Sequence, residues 1–158
     1  MAHSSPQPHP LLTAAAIAAM PEETFVHPLN ENAVRHTRSL AAATGCLHLG
    51  VHLVRVLPGH DSTAYHRHRG EEEFIYILSG RGTTTIGAET FEVQPGDFMG
   101  FRPDSPAHVM HNPFAEDLVY LVGGYDLDYD VVEYPHHGTR MYRVGDHRTY
   151  EPLSGDSA

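Results

Sequence analysis

Residues 59–80 read GHDSTAYHRHRGEEEFIYILSG. Two histidines, His66 and His68, stand two residues apart, and Glu71, Glu72 and Glu73 follow just before the apolar run from Phe74 to Leu78. In an extended segment successive side chains point to opposite faces, so both imidazoles share one face, about 7 Å apart along the strand. That is a workable reach for one shared metal ion. A strand return after Arg69 and Gly70 brings one of the three carboxylates to the same face. The competing reading is a solvated, charged loop that merely contains histidines.

Working outward, the chain from Cys46 onward consists of short β-rich segments, near 47–57, 64–69, 72–79, 82–87, 89–94, 97–102, 106–112, 117–123 and 129–133. Turn signals such as Pro58-Gly59, Ser79-Gly80, Pro95-Gly96, Asn112-Pro113 and Gly123-Gly124 separate them. Their close spacing predicts an all-β antiparallel sandwich or barrel. No helix of useful length interrupts the run, which argues against a doubly wound fold.

The flanks read differently. Residues 1–10 are rich in Pro, Ser and His and predict a loose arm, with no metal role for His3 or His9. Thr13 is placed to cap a short helix through Ala14 to Met20, which Pro21 ends. Residues 25–38 carry no sustained period and read as an arm laid along a surface, a partner subunit's included. The tail adds one strand over 139–144 before a polar end that frays. The division is therefore an arm with a short helix over 1–24, a barrel over 25–145 and a flexible tail over 146–158.

A chain of 158 residues reads as one domain, long enough to bury roughly two thirds of its unfolded surface. The 20 acidic and 10 basic residues give a net charge of −10, with no cationic cluster. That balance argues against nucleic acid and against an anionic membrane surface as partners. Apolar runs such as Ala14 to Met20 are too short to span a bilayer. The N-terminus lacks the basic region of a secretion signal. A single cysteine, Cys46, precludes an intrachain disulfide and suits a reducing cytoplasm.

A second loaded stretch, PGDFMGFRPDSPAHVMHN over residues 95–112, delivers His108 on a strand that starts after a proline-rich turn, with Asn112 four residues on. Alone, His108 reads as an ordinary surface or core histidine. Taken with the first stretch, a functional reading of His108 is favoured instead.

Gly59, His66, His68, Glu73 and Gly80, followed by Gly96, Pro103, His108 and Asn112, together resemble the two motifs of the cupin superfamily. The resemblance selects Glu73 from the three glutamates, because the family's run to the closing glycine fits Glu73 and Gly80 but not Glu72. It implies a double-stranded β-helix, a jelly-roll barrel, with a short N-terminal helix and an extended N-terminal arm. It also implies a metal held by His66, His68, Glu73 and His108. The departures are single added residues between Gly59 and His66 and between Gly96 and Pro103. In addition Ser105 replaces the second motif's middle glycine, so that turn is expected to avoid positive φ. The segments HPLNENAVR, HLGVHLVRVLPG and DVVEYP are further similar to a set of bacterial single-barrel cupins, most of which have no assigned reaction.

Three neutral imidazoles and a carboxylate suit one divalent transition metal, Fe, Zn, Mn, Ni or Co, with positions left open. The implied activity is that of a dioxygenase, or of an isomerase, cyclase or lyase that uses the metal as a Lewis acid. The alternative is a barrel that binds or senses a small ligand without turning it over. Protonation of the histidines below roughly pH 5 is expected to release the metal. By parity, Ile75 and Ile77 face inward with Glu73, and Met110 with His108, whereas Tyr76 packs outside. The lumen so lined is apolar and favours a small, partly apolar organic molecule over a sugar phosphate. His52 and Arg55 have opposite parity on one strand, so only one of them faces the lumen, where it is a candidate acid, base or carboxylate clamp. Tyr120, Phe101 and Arg102 are further pocket candidates, and His136 and His137 read as exposed. The N-terminal arm and the family's habit of pairing barrels predict a homodimer.

Overall fold

A computed structural model describes residues 8–153. The looseness expected of residues 1–7 and 154–158, and the reading of His3, lie outside the described residues. The backbone builds one sheet from β1 (Glu23–His27), β2 (Asn30–Ser39), β3 (Leu49–Val56), β5 (Glu73–Ser79), β8 (Phe98–Phe101) and β10 (Leu118–Tyr125), ordered β1-β2-β3-β10-β5-β8. A second sheet runs β13-β12-β11-β4, from β4 (Arg67–His68), β11 (Tyr129–Tyr134), β12 (Thr139–Val144) and β13 (His147–Pro152). A third, β7-β6-β9, holds β6 (Gly82–Ile86), β7 (Glu89–Val93) and β9 (His108–His111). Every named strand pair is antiparallel. The two smaller sheets are stitched together where His66 and His108 exchange backbone hydrogen bonds of 3.1 and 2.8 Å. They thus form one layer opposite the six-stranded sheet. This is the all-β jelly-roll that the sequence predicts.

Alternation places the core between the layers. Val54, Val56, Ile75, Ile77, Leu118 and Tyr120 point inward from the large sheet and meet Val93 and Met110 from the small one. Ile77 and Val56 are wholly shielded from solvent, and burying each such side chain stabilises the fold by about 2 kcal/mol. Tyr76, one residue out of phase, is on the outer face. At the turn after β5, Gly80 takes φ +72°, and a Cβ there would lie 2.1 Å from the Asp117 carbonyl oxygen. Only glycine lets the two loops approach so closely.

Several expectations are corrected. Residues 25–38, which read as an arm without a period laid along a surface, form regular strands: they belong to a hairpin of β1 and β2 that pairs with the chain's own β3, His36 to Arg55 and Ser39 to His52. The period is hidden because β2, NENAVRHTRS, is polar on both faces. The strand foreseen over 64–69 reduces to Arg67–His68 with a single bridge at His66. A short helix α2 (Leu40–Ala43) follows β2 and was not foreseen. The segment expected to fray after residue 145 instead continues as β13, paired along β12 from Val144–His147 to Thr139–Pro152. Its six residues are all exposed, so no apolar alternation marks it. Finally, the turn before β9 does not avoid positive φ. Asp104, rather than Ser105, adopts φ 60°, a conformation that short polar side chains tolerate.

Near the N-terminus, helix α1 (Ala14–Ala19) forms as read. Thr13 Oγ1 accepts the Ala16 amide at 3.2 Å, and the chain turns extended at Met20 ahead of Pro21.

Candidate metal centre

His66 and His68 sit at the start of the smaller layer with Arg67 between them, and alternation sends that arginine to the other side, onto the buried Glu133 at 2.7 Å. Glu73 opens β5 in the facing sheet, where β10 and β8 hold it at Gly124 and Phe101. His108 opens β9 and stacks its ring on Phe101, centroids 3.5 Å apart. Three strands, β4, β5 and β9, thus converge from both layers on one end of the barrel.

One nitrogen of His66, one of His68 and a carboxylate oxygen of Glu73 all lie within 4.8 Å of one another. His108 joins them through its Nε2, 3.0 Å from Glu73 Oε1, and His68 Nε2 is 3.7 Å from Glu73 Oε2. The rings of His66 and His108 are 4.7 Å apart. Glu71 does not join this group: it receives the Leu127 amide at 2.9 Å and pairs with Arg143. Glu72 is exposed.

Hydrogen bonds fix two of the imidazoles in the tautomer a ligand needs. His66 Nδ1–H donates to the Ala64 carbonyl at 3.0 Å, and His68 Nδ1–H donates to Asp130 Oδ2 at 2.6 Å. In both rings the Nε2 lone pair is left for another partner. Burial, reinforced by the neighbouring His108, pushes the His66 pKa down to about 3, so this ring is neutral. Burial acts on His68 in the same direction, but the Asp130 hydrogen bond and the Glu73 and Asp130 charges outweigh it and raise its pKa. For Glu73, burial alone would favour the acid. The His108 hydrogen bond and the surrounding histidines reverse this and hold the carboxylate at about 2. His108 Nδ1 is buried without a partner among the described residues, so the tautomer of this ring is set through Nε2 alone. The Nε2 lone pairs of His66 and His68 converging with the Glu73 carboxylate, and His108 beside them, make a donor set that fits a divalent transition metal.

Asp130 was not singled out by the sequence reading. It lies at an inward position of β11, in phase with the buried Val132 and Tyr134, and an acid at a core-facing position of a strand is the signal that marks it. A second group, His68, Glu71 and Asp130, also brings three ligand atoms within 4.8 Å, but it shares His68.

The other candidates separate cleanly. His52 has the parity of the buried Val54 and Val56 and reaches a cavity of about 180 Å³ beside His68, Glu71 and Glu73. Its Nδ1 lies 3.0 Å from Ser39 Oγ, and burial lowers its pKa. Arg55 does not face the lumen. It is on the outer side of β3, in ion pairs with Glu22 (2.6 Å) and Asp117 (3.0 Å). Tyr120 is wedged in the core, where burial raises its pKa and Ser62 is its polar neighbour, and it lines neither cavity at the centre. Phe101 and Arg102 do line a cavity, of about 700 Å³, which shares Glu72 and Glu73 with the smaller one and is walled by Leu49, Phe74, Phe98 and Tyr125. His136 and His137 are exposed, the former stacked on Tyr65.

A family model described as a cupin domain matches residues 52–124. A solved structure from Acidithiobacillus ferrooxidans, provisionally described as a sugar phosphate isomerase, is 43% identical, with 94% of this chain and 95% of that one covered and a TM-score of 0.89. Another, from Silicibacter pomeroyi and described as a sugar phosphate isomerase from a cupin superfamily, is 22% identical. Its coverage is 94% and 96% and its TM-score 0.80, and this likeness is one of fold. Among curated proteins, an uncharacterized protein of Methanocaldococcus jannaschii is 40% identical over 57 residues, 36% of this chain and 45% of that protein. The match thus spans under half the length of that relative. No helix among the described residues is long and apolar enough to cross a membrane.

Proposed function

Because the chain belongs to the cupin superfamily, we propose that it is a metal-dependent enzyme acting on a small, partly apolar organic molecule at the mouth of its barrel. The observation that carries this reading is the convergence of His66, His68 and Glu73 on one point, with His108 Nε2 beside Glu73, where two joined cavities meet. These four side chains would hold one divalent Fe, Zn, Mn, Ni or Co. Such an ion supplies either a redox centre or a Lewis acid that polarises an oxygen of the substrate.

The chain's own groups support proton-moving chemistry. His52 is a neutral imidazole whose Nδ1 is engaged by Ser39 and whose ring reaches the small cavity, the arrangement of a group that takes up or returns a proton. The apolar walls of the larger cavity suit the apolar part of a substrate. Isomerase, cyclase or lyase activity is favoured on this ground over a dioxygenase.

A narrower second reading, isomerisation of a sugar phosphate, draws support from the description of the 43% identical Acidithiobacillus protein. The apolar walls of the larger cavity weigh against it.

The test is metal content by mass spectrometry on protein purified without nickel affinity. Wild type is expected to carry close to one ion per chain and the double variant His66→Ala/His68→Ala none. Equal content in the two would sink the site assignment. Oxygen uptake on candidate enols and catechols after anaerobic reconstitution would instead move the activity to the dioxygenase class.

A further inference from the structure

We propose that Arg102 anchors a carboxylate of the substrate, so that the molecules taken by this site are organic carboxylates with an apolar body. This deepens the reading of the metal centre and rests on it. All ten basic residues of the chain are arginines. Seven of them pair with carboxylates, Arg35 lies over the Phe25 ring, and Arg148 donates to the Asp146 carbonyl. Among the described residues, Arg102 alone makes none of these contacts. In a chain with twice as many acids as bases, an arginine that no acid has claimed is conspicuous, and this one lines the 700 Å³ cavity at the metal centre.

Its position is also fixed. The turn that carries it is pinned to the strand of His68: the Asp104 amide donates to the His68 carbonyl at 3.0 Å, and Asp104 pairs with Arg69 at 3.0 Å. The Ser105 amide closes the turn on the Arg102 carbonyl at 3.0 Å. Asp104 holds φ 60° to make these contacts, and a residue kept in that region is over-determined by its surroundings.

Charge around the cavities gives a bound molecule one orientation. Glu71, Glu72, Glu73 and Asp126 crowd the small cavity, and Glu72 and Glu73 reach the large one. An anionic group is repelled from that end and drawn to Arg102, leaving the uncharged part against Phe101, whose ring stacks on His108. A guanidinium fork matches a planar carboxylate with two parallel hydrogen bonds. A phosphate dianion calls for more donors than one arginine and the Ser105 hydroxyl that share this wall.

The test is calorimetric binding to the protein as purified, with its metal content measured on the same samples. The probes are 4-phenylbutanoate, 4-phenylbutanamide and glucose 6-phosphate. The acid is expected to bind wild type about tenfold more tightly than the amide, the worth of one charge-assisted pair. Arg102→Met and Arg102→Gln should lose that advantage while amide binding, metal content and melting temperature stay unchanged. Equal affinity of acid and amide in wild type, no binding of the acid at millimolar concentration, or undiminished acid binding in both variants would overturn the proposal with the metal reading intact. So would tighter, Arg102-dependent binding of glucose 6-phosphate. Failure of the metal reading has a separate signature, unchanged metal in His66→Ala/His68→Ala.

Discussion

Asp130 does for His68 what the Ala64 carbonyl does for His66: each takes the Nδ1 proton and so aims a lone pair at the centre. The two are not equivalent, because Asp130 is a charge. Burial would protonate it, yet the His68 hydrogen bond and the amides around it lower its pKa, with the Gly70 and Glu71 amides 3.0 and 3.2 Å from Oδ1. An anion behind a ligating imidazole makes that ring a stronger donor, and loss of such an outer partner costs about 10- to 100-fold in metal affinity. Asp130→Asn keeps an acceptor of the same shape and removes the charge. Chelator competition should therefore find metal held about 10- to 100-fold more weakly, with full stoichiometry at saturation. Unchanged affinity would reduce Asp130 to a support for the loop at Gly70. The pairing of His66 with His68 was legible at this scale, since two residues of extended chain suffice to place both rings on one face. The choice of Glu73 needed the resemblance, because three successive glutamates offer every parity. Asp130 was not legible, since its role depends on β11 lying beside β4, 62 residues away in the chain.

Elements whose two faces meet similar surroundings leave little trace in the sequence. The hairpin of β1 and β2 exposes one face and turns Arg35, Thr37 and Ser39 toward the barrel on the other, so no alternation of apolar and polar residues reveals it. Strands β5 and β10 were legible as apolar runs bounded by the turn signals Ser79-Gly80 and Gly123-Gly124. The hairpin is held at its turn by His27, which is 7% exposed, accepts the Leu29 amide at 3.1 Å and meets the Tyr134 ring edge-on at 5.4 Å. Burial, with Arg35 and His137 nearby, pushes its pKa down to about 4. The folded pKa lies below the ordinary value near 6.5, so between about pH 6.5 and 4 the unfolded chain binds the extra proton and stability falls as the pH falls. Denaturant melts should lose about 3 kcal/mol through this residue across that window. In His27→Gln, which retains an acceptor for the Leu29 amide, the pH slope should be shallower by that amount. Identical slopes in the two proteins would show that the hairpin is not docked through a neutral imidazole.

The molecule as a whole presents an apolar face that the described residues leave uncovered. Across the large sheet, outward-pointing Leu53, Leu121, Tyr76 and Phe98 are successive cross-strand neighbours from β3 through β10 and β5 to β8. Tyr76 is 39% and Phe98 64% exposed. Residues 22–39 pack within the chain, with β2 on β3 and Glu22 on Arg38 and Arg55. The sheet face is thus a surface on which two barrels can pair. A continuous apolar patch marks an interaction surface, and a second copy of the chain presents the same patch, which a two-fold axis would match to itself. The strong negative charge does not oppose this, because Leu53, Leu121, Tyr76 and Phe98 carry none of it. Light scattering at micromolar concentration is expected to give twice the mass of the chain. Leu121→Glu, a charge at the centre of the patch, should give the monomer mass with an unchanged circular dichroism spectrum and unchanged metal content, since Leu121 points away from the lumen. A wild-type monomer at that concentration would leave the patch without a self-partner. A Leu121→Glu dimer would place the contact elsewhere on the molecule.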